Sequence, residues 1–141
     1  MGNGWEYKCE KCNEEYFFFL GVGMLYNITQ EELEKKVRAG KYGKKRKQKL
    51  EENSLYHISA VRKLYVCPRC HKPKVDYDLS VVEGDDFFSD DKQVMRYAHR
   101  CSKCKVELKS YTATTFSDCK ESLLCPKCNG LLKDVGRLFW D

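Results

Sequence analysis

Eight of the nine cysteines in this chain form four Cys-x-x-Cys pairs, and this spacing constrains the fold more than any other feature of the sequence. The pairs are Cys9 and Cys12, Cys67 and Cys70, Cys101 and Cys104, and Cys125 and Cys128. A two-residue gap lets one tight turn direct both sulfur atoms at a single ion, and two pairs supply the four thiolates of a tetrahedral site. The sequence therefore predicts two four-cysteine metal sites.

Metal ligation explains these cysteines better than disulfides or redox catalysis do. A count of nine cysteines fits a fully paired disulfide framework poorly. The N-terminal sequence lacks the apolar core of a signal peptide, so we expect a cytoplasmic location in which thiols stay reduced. A thioredoxin-like role needs one reactive pair beside a βαβ pattern, and four similar pairs favour ligation instead. We expect no membrane span, because no apolar run approaches the ~20 residues that a span requires.

The sequences around the pairs resemble the knuckles of the zinc-ribbon, or rubredoxin-like, class of protein. Residues 7–13 (YKCEKCN) look like a first knuckle, whereas residues 67–70 (CPRC) and 125–128 (CPKC) look like the CPxC form of the second. In that class, two knuckles on neighbouring β-hairpins clamp one metal ion. The FFLGVGM segment at residues 18–24 is also similar to a segment of bacterial proteins with such knuckles, a likeness that implies no function.

Zn²⁺ is the metal that we expect in each of the two sites, because structural sites with four cysteine ligands characteristically hold zinc. Iron is the alternative, since a rubredoxin-type site has the same ligands and would carry electrons. Four protein ligands leave no open position at which a metal could activate water. The chain contains no H-E-x-x-H, H-x-E…PCxxC or nucleophile-elbow motif. We therefore expect a protein that is not an enzyme and has no small-molecule substrate.

An acidic stretch between the second and third pairs divides the sequence into two halves. Residues 76–91 carry seven acidic residues and no lysine or arginine, and residues 83–92 are predicted to form an acidic linker. We therefore favour sequential pairing, in which the first two pairs share one ion and the last two share the other. An interleaved and a nested pairing are the alternatives. The predicted fold is small α+β and metal-stapled, with zinc ribbons of antiparallel β-hairpins at residues 1–82 and 93–141.

A helical insertion is predicted at about residues 29–52, between the knuckles of the first ribbon. Thr29 and Glu32 form a capping-box pattern at its start. Leu33 and Val37 share one helical face at i, i+4 spacing, and Gly40 is expected to end the helix. A second, very basic helix is predicted from about residue 44 to residue 52.

The residue after the second cysteine of each pair also bears on the predicted knuckles. A knuckle usually turns there through a left-handed backbone conformation, which favours glycine and then asparagine. Asn13 and Asn129 satisfy this preference, whereas His71 and Lys105 do not. The sequence therefore supports the turn better in the first and fourth pairs than in the second and third.

Residues 35–49 give the strongest indication of nucleic-acid binding in the chain, because they contain nine basic residues and no acidic residue. Such a stretch can neutralise phosphates and displace counterions, and a tyrosine within it could stack on a base. The candidate contacts are Lys35, Lys36, Arg38, Lys41, Tyr42, Lys44, Lys45, Arg46, Lys47 and Lys49. The alternative is a solvated helix whose lysines keep the protein soluble or pair with the acidic residues of the 76–91 stretch. The formal net charge of +5 does not decide between them, because metal-bound thiolates would leave the protein nearly neutral.

These features predict an adaptor or accessory module that binds nucleic acid non-specifically through the basic insertion. A protein-interaction scaffold with no nucleic-acid role is the main alternative, and a rubredoxin-like electron carrier is a further one. The ninth cysteine, Cys119, is expected to be a buried small apolar side chain. A substitute metal ligand or a reactive thiol are the other roles open to it.

Overall fold

The computed structural model describes residues 2–84, 92–112, 115 and 123–140. Within these residues the chain forms two helices, α1 (Tyr26–Arg38) and α2 (Lys44–Glu51), and nine strands. The strands are β1 (Gly2–Cys9), β2 (Glu15–Gly21), β3 (Tyr56–Ile58), β4 (Arg62–Val66), β5 (Pro73–Tyr77), β6 (Val81–Glu83), β7 (Gln93–Met95), β8 (Lys109–Tyr111) and β9 (Leu132–Trp140). The protein is therefore small and α+β, as the sequence predicts. Cys119 and residues 85–91 of the predicted acidic linker lie outside the described residues.

The chain divides into two compact units, each made of separate stretches of sequence. Unit 1 comprises Met1–Gly23, Arg62–Asp76 and Ala98–Asp141, whereas unit 2 comprises Met24–Val61 and Tyr77–Tyr97. The predicted ribbons at residues 1–82 and 93–141 do not follow this division. The physical reason is long-range strand pairing, which joins the two ends of the chain in one sheet.

Unit 1 is built on a six-stranded sheet with the order β5-β4-β2-β1-β9, in which β8 also pairs with β4. The N-terminal strand β1 pairs antiparallel with both β2 and the C-terminal strand β9. One face of this sheet carries the core, where Trp5, Tyr7, Phe18 and Leu64 are buried. Phe17 is 46% exposed, because successive side chains of a strand point to opposite faces.

Unit 2 consists of α1, α2 and a three-stranded antiparallel sheet with the order β3-β6-β7. Leu33 and Val37 of α1 are both buried, as their spacing predicts. Polar contacts also join α1 to β3, because the backbone N–H of Ile58 donates to the buried carboxylate of Glu34 at 3.0 Å. The side chain of Gln30 donates to the carbonyl oxygen of Ile58, also at 3.0 Å.

The start of α1 differs from the prediction. The helix begins at Tyr26, and Thr29 lies within it, with its backbone N–H donating to the carbonyl of Leu25 at 2.9 Å. The capping box predicted at Thr29 is therefore wrong. The side chain of Tyr26 is buried and its hydroxyl accepts a hydrogen bond from the N–H of Ala60 at 3.3 Å. Tertiary packing of this residue outweighs the local capping preference. The helix ends at Arg38, and Gly40 follows with a φ of 88°.

Candidate metal centres

The structure brings the eight paired cysteines together in two groups of four, both within unit 1. Centre 1 consists of Cys9, Cys12, Cys125 and Cys128, and centre 2 consists of Cys67, Cys70, Cys101 and Cys104. The four sulfur atoms of each centre lie within 4.8 Å of one another. Each predicted ligand therefore has three others beside it.

The pairing of the knuckles is nested, so the sequential pairing that the sequence favoured is wrong. The first knuckle meets the fourth in centre 1 because β1 and β9 are neighbours, with Cys9 opposite Leu132 in their register. The backbone N–H of Glu10 extends this pairing into the knuckle by donating to the carbonyl of Leu131 at 3.1 Å. The strand before the first knuckle and the strand after the fourth therefore bring the two knuckles together.

Centre 2 forms through a second long-range strand pair, between β4 and β8. Val66 immediately precedes Cys67 and lies opposite Lys109 in this pair. An isolated bridge between Arg100 and Glu107 closes the chain around the third knuckle. The second and third knuckles therefore adjoin each other, although the acidic stretch separates them in the sequence.

The separations between sulfur atoms fit a tetrahedral ion. Zinc–sulfur bonds of about 2.3 Å in a tetrahedron place the sulfurs about 3.8 Å apart. In centre 1 the Sγ atoms of Cys9 and Cys128 are 3.4 Å apart, and those of Cys12 and Cys125 are 3.7 Å apart. In centre 2 the Cys70 and Cys101 sulfurs are 3.9 Å apart. All eight cysteines are free of disulfides. Each centre could therefore hold a metal ion.

All four knuckles have the same backbone turn. The residues after the second cysteines have nearly equal positive φ angles, which are 61° at Asn13, 60° at His71, 62° at Lys105 and 62° at Asn129. In each knuckle the N–H of this residue donates to the carbonyl of the first cysteine at 2.9 or 3.0 Å. His71 and Lys105 thus adopt the left-handed conformation, although it costs an ordinary side chain about 1–2 kcal/mol. Hydrogen bonds and packing in the folded unit outweigh this local cost.

Backbone N–H groups surround the sulfurs of centre 2. The N–H of Cys70 donates to the sulfur of Cys67, and the N–H of Cys104 donates to that of Cys101, each at 3.4 Å. Hydrogen bonds of this kind favour a thiolate, and those from Cys104 and Lys103 lower the pKa of Cys101 to about 6. Burial and the neighbouring thiols raise the pKa of Cys104 to about 12. A bound divalent cation would let all four sulfurs ionise together.

Centre 1 is continuous with the apolar core of unit 1. Cys9 and Cys125 are fully buried and belong to the same cluster as Trp5 and Tyr7. The hydroxyl of Tyr16 donates to the sulfur of Cys125 at 3.1 Å. Burial opposes ionisation of Cys125, but this hydrogen bond and the nearby backbone N–H groups lower its pKa to about 6. Sequence reasoning missed this contact, because 109 positions separate the two residues.

Gly130 lies against the sulfur atoms of centre 1. A Cβ atom at this position would lie 2.8 Å from the sulfur of Cys9 and 2.7 Å from the Cβ of Lys11. Both distances are shorter than van der Waals contact, so the close approach of the fourth knuckle to the first requires a glycine. The need for glycine here comes from packing between distant knuckles.

Comparison with known proteins does not assign these two centres to a known family. No protein-family model, curated protein or solved structure matches the chain. Among the described residues, none of the helices has the length and apolar character needed to cross a bilayer. The metal centres are therefore inferred from the geometry and chemistry of this chain itself.

The residues predicted to contact nucleic acid all lie in unit 2, at the end of α1, in the turn after it and in α2. Arg46 is only 5% exposed, and its guanidinium donates to the carbonyls of Leu79 at 3.0 Å and Arg96 at 3.1 Å. Its guanidinium carbon also lies 4.7 Å from the ring centroid of Tyr97. Arg46 thus contacts the interior of unit 2, so it is unsuited to the phosphate contact predicted for it. Tyr42 is half-buried, and its ring meets that of Tyr97 edge-on at 6.1 Å.

The other basic side chains differ in whether they are free of ion pairs with described residues and could contact phosphate. Arg38 lies 3.9 Å from the carboxylate of Glu34, and Lys49 lies 3.1 Å from that of Glu52. Six lysines have no ion pair within the part of the chain that the structure describes, and all of them are exposed except for one that is half-buried. They are Lys35, Lys36, Lys41, Lys44, Lys45 and the half-buried Lys47.

Double cysteine substitutions test the nested pairing. Cys9→Ser combined with Cys125→Ser should remove one metal ion per chain, because both ligands belong to centre 1. Cys9→Ser combined with Cys67→Ser should remove both ions, because each centre then loses a ligand. Elemental analysis of the purified proteins measures the bound metal. Sequential pairing requires the opposite pattern, with one ion lost in the second variant and two in the first.

Gly130→Ala should weaken metal binding at centre 1, since the new methyl group would displace the sulfur of Cys9. We expect the affinity of this centre to fall about 10–100-fold, the range found when groups supporting the ligands are altered. Competition with a chromophoric chelator measures the affinity. Gly136→Ala is the matched control, because its Cβ would meet only the side chain of Glu6, at 3.3 Å. Equal affinities in the two variants would contradict the proposed close approach.

Arg46→Ala should destabilise unit 2, because it leaves the buried carbonyl of Leu79 and the carbonyl of Arg96 without this donor. We expect the free energy of unfolding to fall by about 2–3 kcal/mol. Lys45→Ala, on an exposed neighbour, should change it by no more than about 0.5 kcal/mol. Urea denaturation followed by helical circular dichroism makes the comparison, since both described helices lie in unit 2. A loss in Arg46→Ala as small as in the control would show that the guanidinium has no structural role.

Proposed function

We propose that this protein is a zinc-stapled accessory module, without enzymatic activity, that binds nucleic acid non-specifically through lysines of unit 2. The structural part of this proposal is supported by the two four-sulfur centres. Four cysteine ligands are characteristic of structural zinc and leave no position for an activated water molecule. Zinc bound in this way stabilises a small fold directly, since the unfolded chain lacks a preformed site.

The nucleic-acid part is supported by one observation, the six lysines at the end of α1, in the following turn and in α2 that form no ion pair with any described residue. Residues 35–49 contain no acid that could neutralise them. The backbone N–H of Lys41 donates to the carbonyl of Lys36 at 3.1 Å, so the turn continues directly from the end of α1. Binding to phosphates through such lysines is electrostatic and independent of base sequence.

Removal of two exposed lysine charges tests this function. Lys44→Gln combined with Lys45→Gln should weaken the binding of a labelled DNA duplex, because two phosphate contacts are lost. The slope of log affinity against log salt should fall by about 1.8, at about 0.9 per contact. Fluorescence anisotropy at several salt concentrations measures both quantities.

The matched control for this test is Lys8→Gln combined with Lys127→Gln, which removes the same charge from exposed positions of unit 1. We expect the control to bind the duplex as the unmodified protein does. Absence of binding by the unmodified protein, or equal weakening in both variants, would contradict the proposed role of unit 2.

A second candidate function is a protein-interaction scaffold. Three large apolar side chains are exposed near the start of α1, with Met24 at 81%, Leu25 at 64% and Ile28 at 56%. Clustered apolar exposure of this kind is typical of docking sites. A partner that binds purified protein after nuclease treatment, and is lost on Leu25→Ser with Ile28→Ser, would favour this function. A partner that nuclease releases would favour the first proposal.

A further inference from the structure

The two metal centres have the same backbone but different charges. Each knuckle spans six residues, counted from its first cysteine to the carbonyl that this cysteine's N–H contacts. In centre 2 these are residues 67–72 and 101–106, which contain four cations and no acid: Arg69, Lys72, Lys103 and Lys105. In centre 1 they are residues 9–14 and 125–130, which contain two cations and two acids: Lys11, Lys127, Glu10 and Glu14.

Ion pairs increase this difference. In centre 1, Lys127 lies 3.3 Å from the carboxylate of Glu14, and Glu10 lies 3.0 Å from the ammonium group of Lys133. None of the four cations of centre 2 forms an ion pair with any residue in the described ranges. Arg69, Lys103 and Lys105 are exposed, and Lys72 is half-buried. Centre 2 therefore presents cations to solvent that no described acid neutralises.

Two of the cations that flank centre 2 have an acidic residue beside them. Lys74 lies 3.2 Å from the carboxylate of Asp76, and Arg100 lies opposite Glu107 in a β-bridge. Neither of these two flanking cations therefore adds to the excess positive charge of the knuckles.

Metal binding preserves the difference in net charge between the two centres. A divalent ion with four thiolates carries a net charge of about −2. The cations of centre 2 exceed this charge, whereas the knuckles of centre 1 have no excess to offset it. A polyanion would therefore be attracted to centre 2 and repelled from centre 1.

The nested pairing of the knuckles brings the four cations of centre 2 together. Arg69 and Lys72 come from the second knuckle, and Lys103 and Lys105 from the third, and the two knuckles share four sulfurs. An ion bound by those sulfurs would fix both knuckles in place, so the backbone that carries the cations would need no ordering on binding. Arg69 also offers a planar guanidinium, which can hold a phosphate through two parallel hydrogen bonds.

We propose that the four cations of centre 2 form a second binding surface for the phosphate backbone of nucleic acid. This inference rests on the proposed function for the class of partner, but it stands on other residues in another unit. Its distinctive property is dependence on metal, because an ion bound by the four sulfurs would fix in place the two knuckles that the β4–β8 pair brings together. The lysines of unit 2 have no such dependence.

Paired substitutions on each knuckle test this surface. Lys103→Gln with Lys105→Gln changes the third knuckle, and Arg69→Gln with Lys72→Gln changes the second independently. Anisotropy with a labelled DNA duplex should show an affinity at least about tenfold weaker for each pair, and a salt slope lower by about 1.8. A variant is used in this comparison only if elemental analysis finds the same metal content in it as in the unmodified protein. The two variants are independent, so the surface can still be tested if one of them fails to fold.

Two controls separate this inference from the proposed function. Lys8→Gln with Lys127→Gln, on the side of centre 1, should leave the affinity unchanged. Lys44→Gln with Lys45→Gln should weaken binding by a separate amount, which adds to that of the centre 2 variants when they are combined. Removal of metal with a chelator should abolish the difference between the centre 2 variants and the unmodified protein.

Each outcome of this experiment has one meaning. Unchanged affinity in a metal-loaded centre 2 variant, with weakened affinity in the unit 2 variant, would overturn this inference and leave the proposed function intact. Weakened affinity in the centre 2 variant alone would support the inference and overturn the role of unit 2. Absence of binding by the unmodified, metal-loaded protein would overturn both.

Discussion

The antiparallel pairing of strands that are distant in the sequence determines where every paired cysteine lies. β1 lies beside β9, and this contact brings the first knuckle to the fourth. β4 lies beside β8, and this contact brings the second knuckle to the third. The ligands and the strands support each other, because ions would fix the same knuckles that the strands bring together. Structural zinc contributes about 10–16 kcal/mol of apparent binding free energy, which is comparable to the whole stability of a typical domain, about 5–15 kcal/mol.

The sequence predicts local features of this structure well. A Cys-x-x-Cys pair acts within one turn, so the ligands can be recognised without knowledge of the fold. The face of α1 with Leu33 and Val37 is also local, since it depends only on helical spacing. The pairing of the knuckles is different, because two ligand pairs with the same spacing are interchangeable in the sequence. The acidic stretch at residues 76–91 suggested a boundary, but the sheet of unit 1 continues with residues from both sides of it.

Single residues also show where local reasoning fails. His71 and Lys105 lack the preferred side chains for a left-handed turn and nevertheless adopt it, because knuckle hydrogen bonds and the fold around the sulfurs fix their backbone. Arg46 belongs to a dense run of cations, yet it is buried against Leu79 and Arg96. Its neighbours Lys44 and Lys45 are exposed, and nothing in the sequence of α2 distinguishes the three. The contact with Leu79 depends on a chain segment 33 positions away.

NMR of cadmium-substituted protein distinguishes the nested sharing of ions from the other pairings of the knuckles. Heteronuclear correlation connects each cadmium nucleus to the β-protons of the cysteines that bind it. One nucleus should correlate with Cys9, Cys12, Cys125 and Cys128, and the other with Cys67, Cys70, Cys101 and Cys104. A nucleus that correlates with both Cys9 and Cys67 would contradict the nested arrangement.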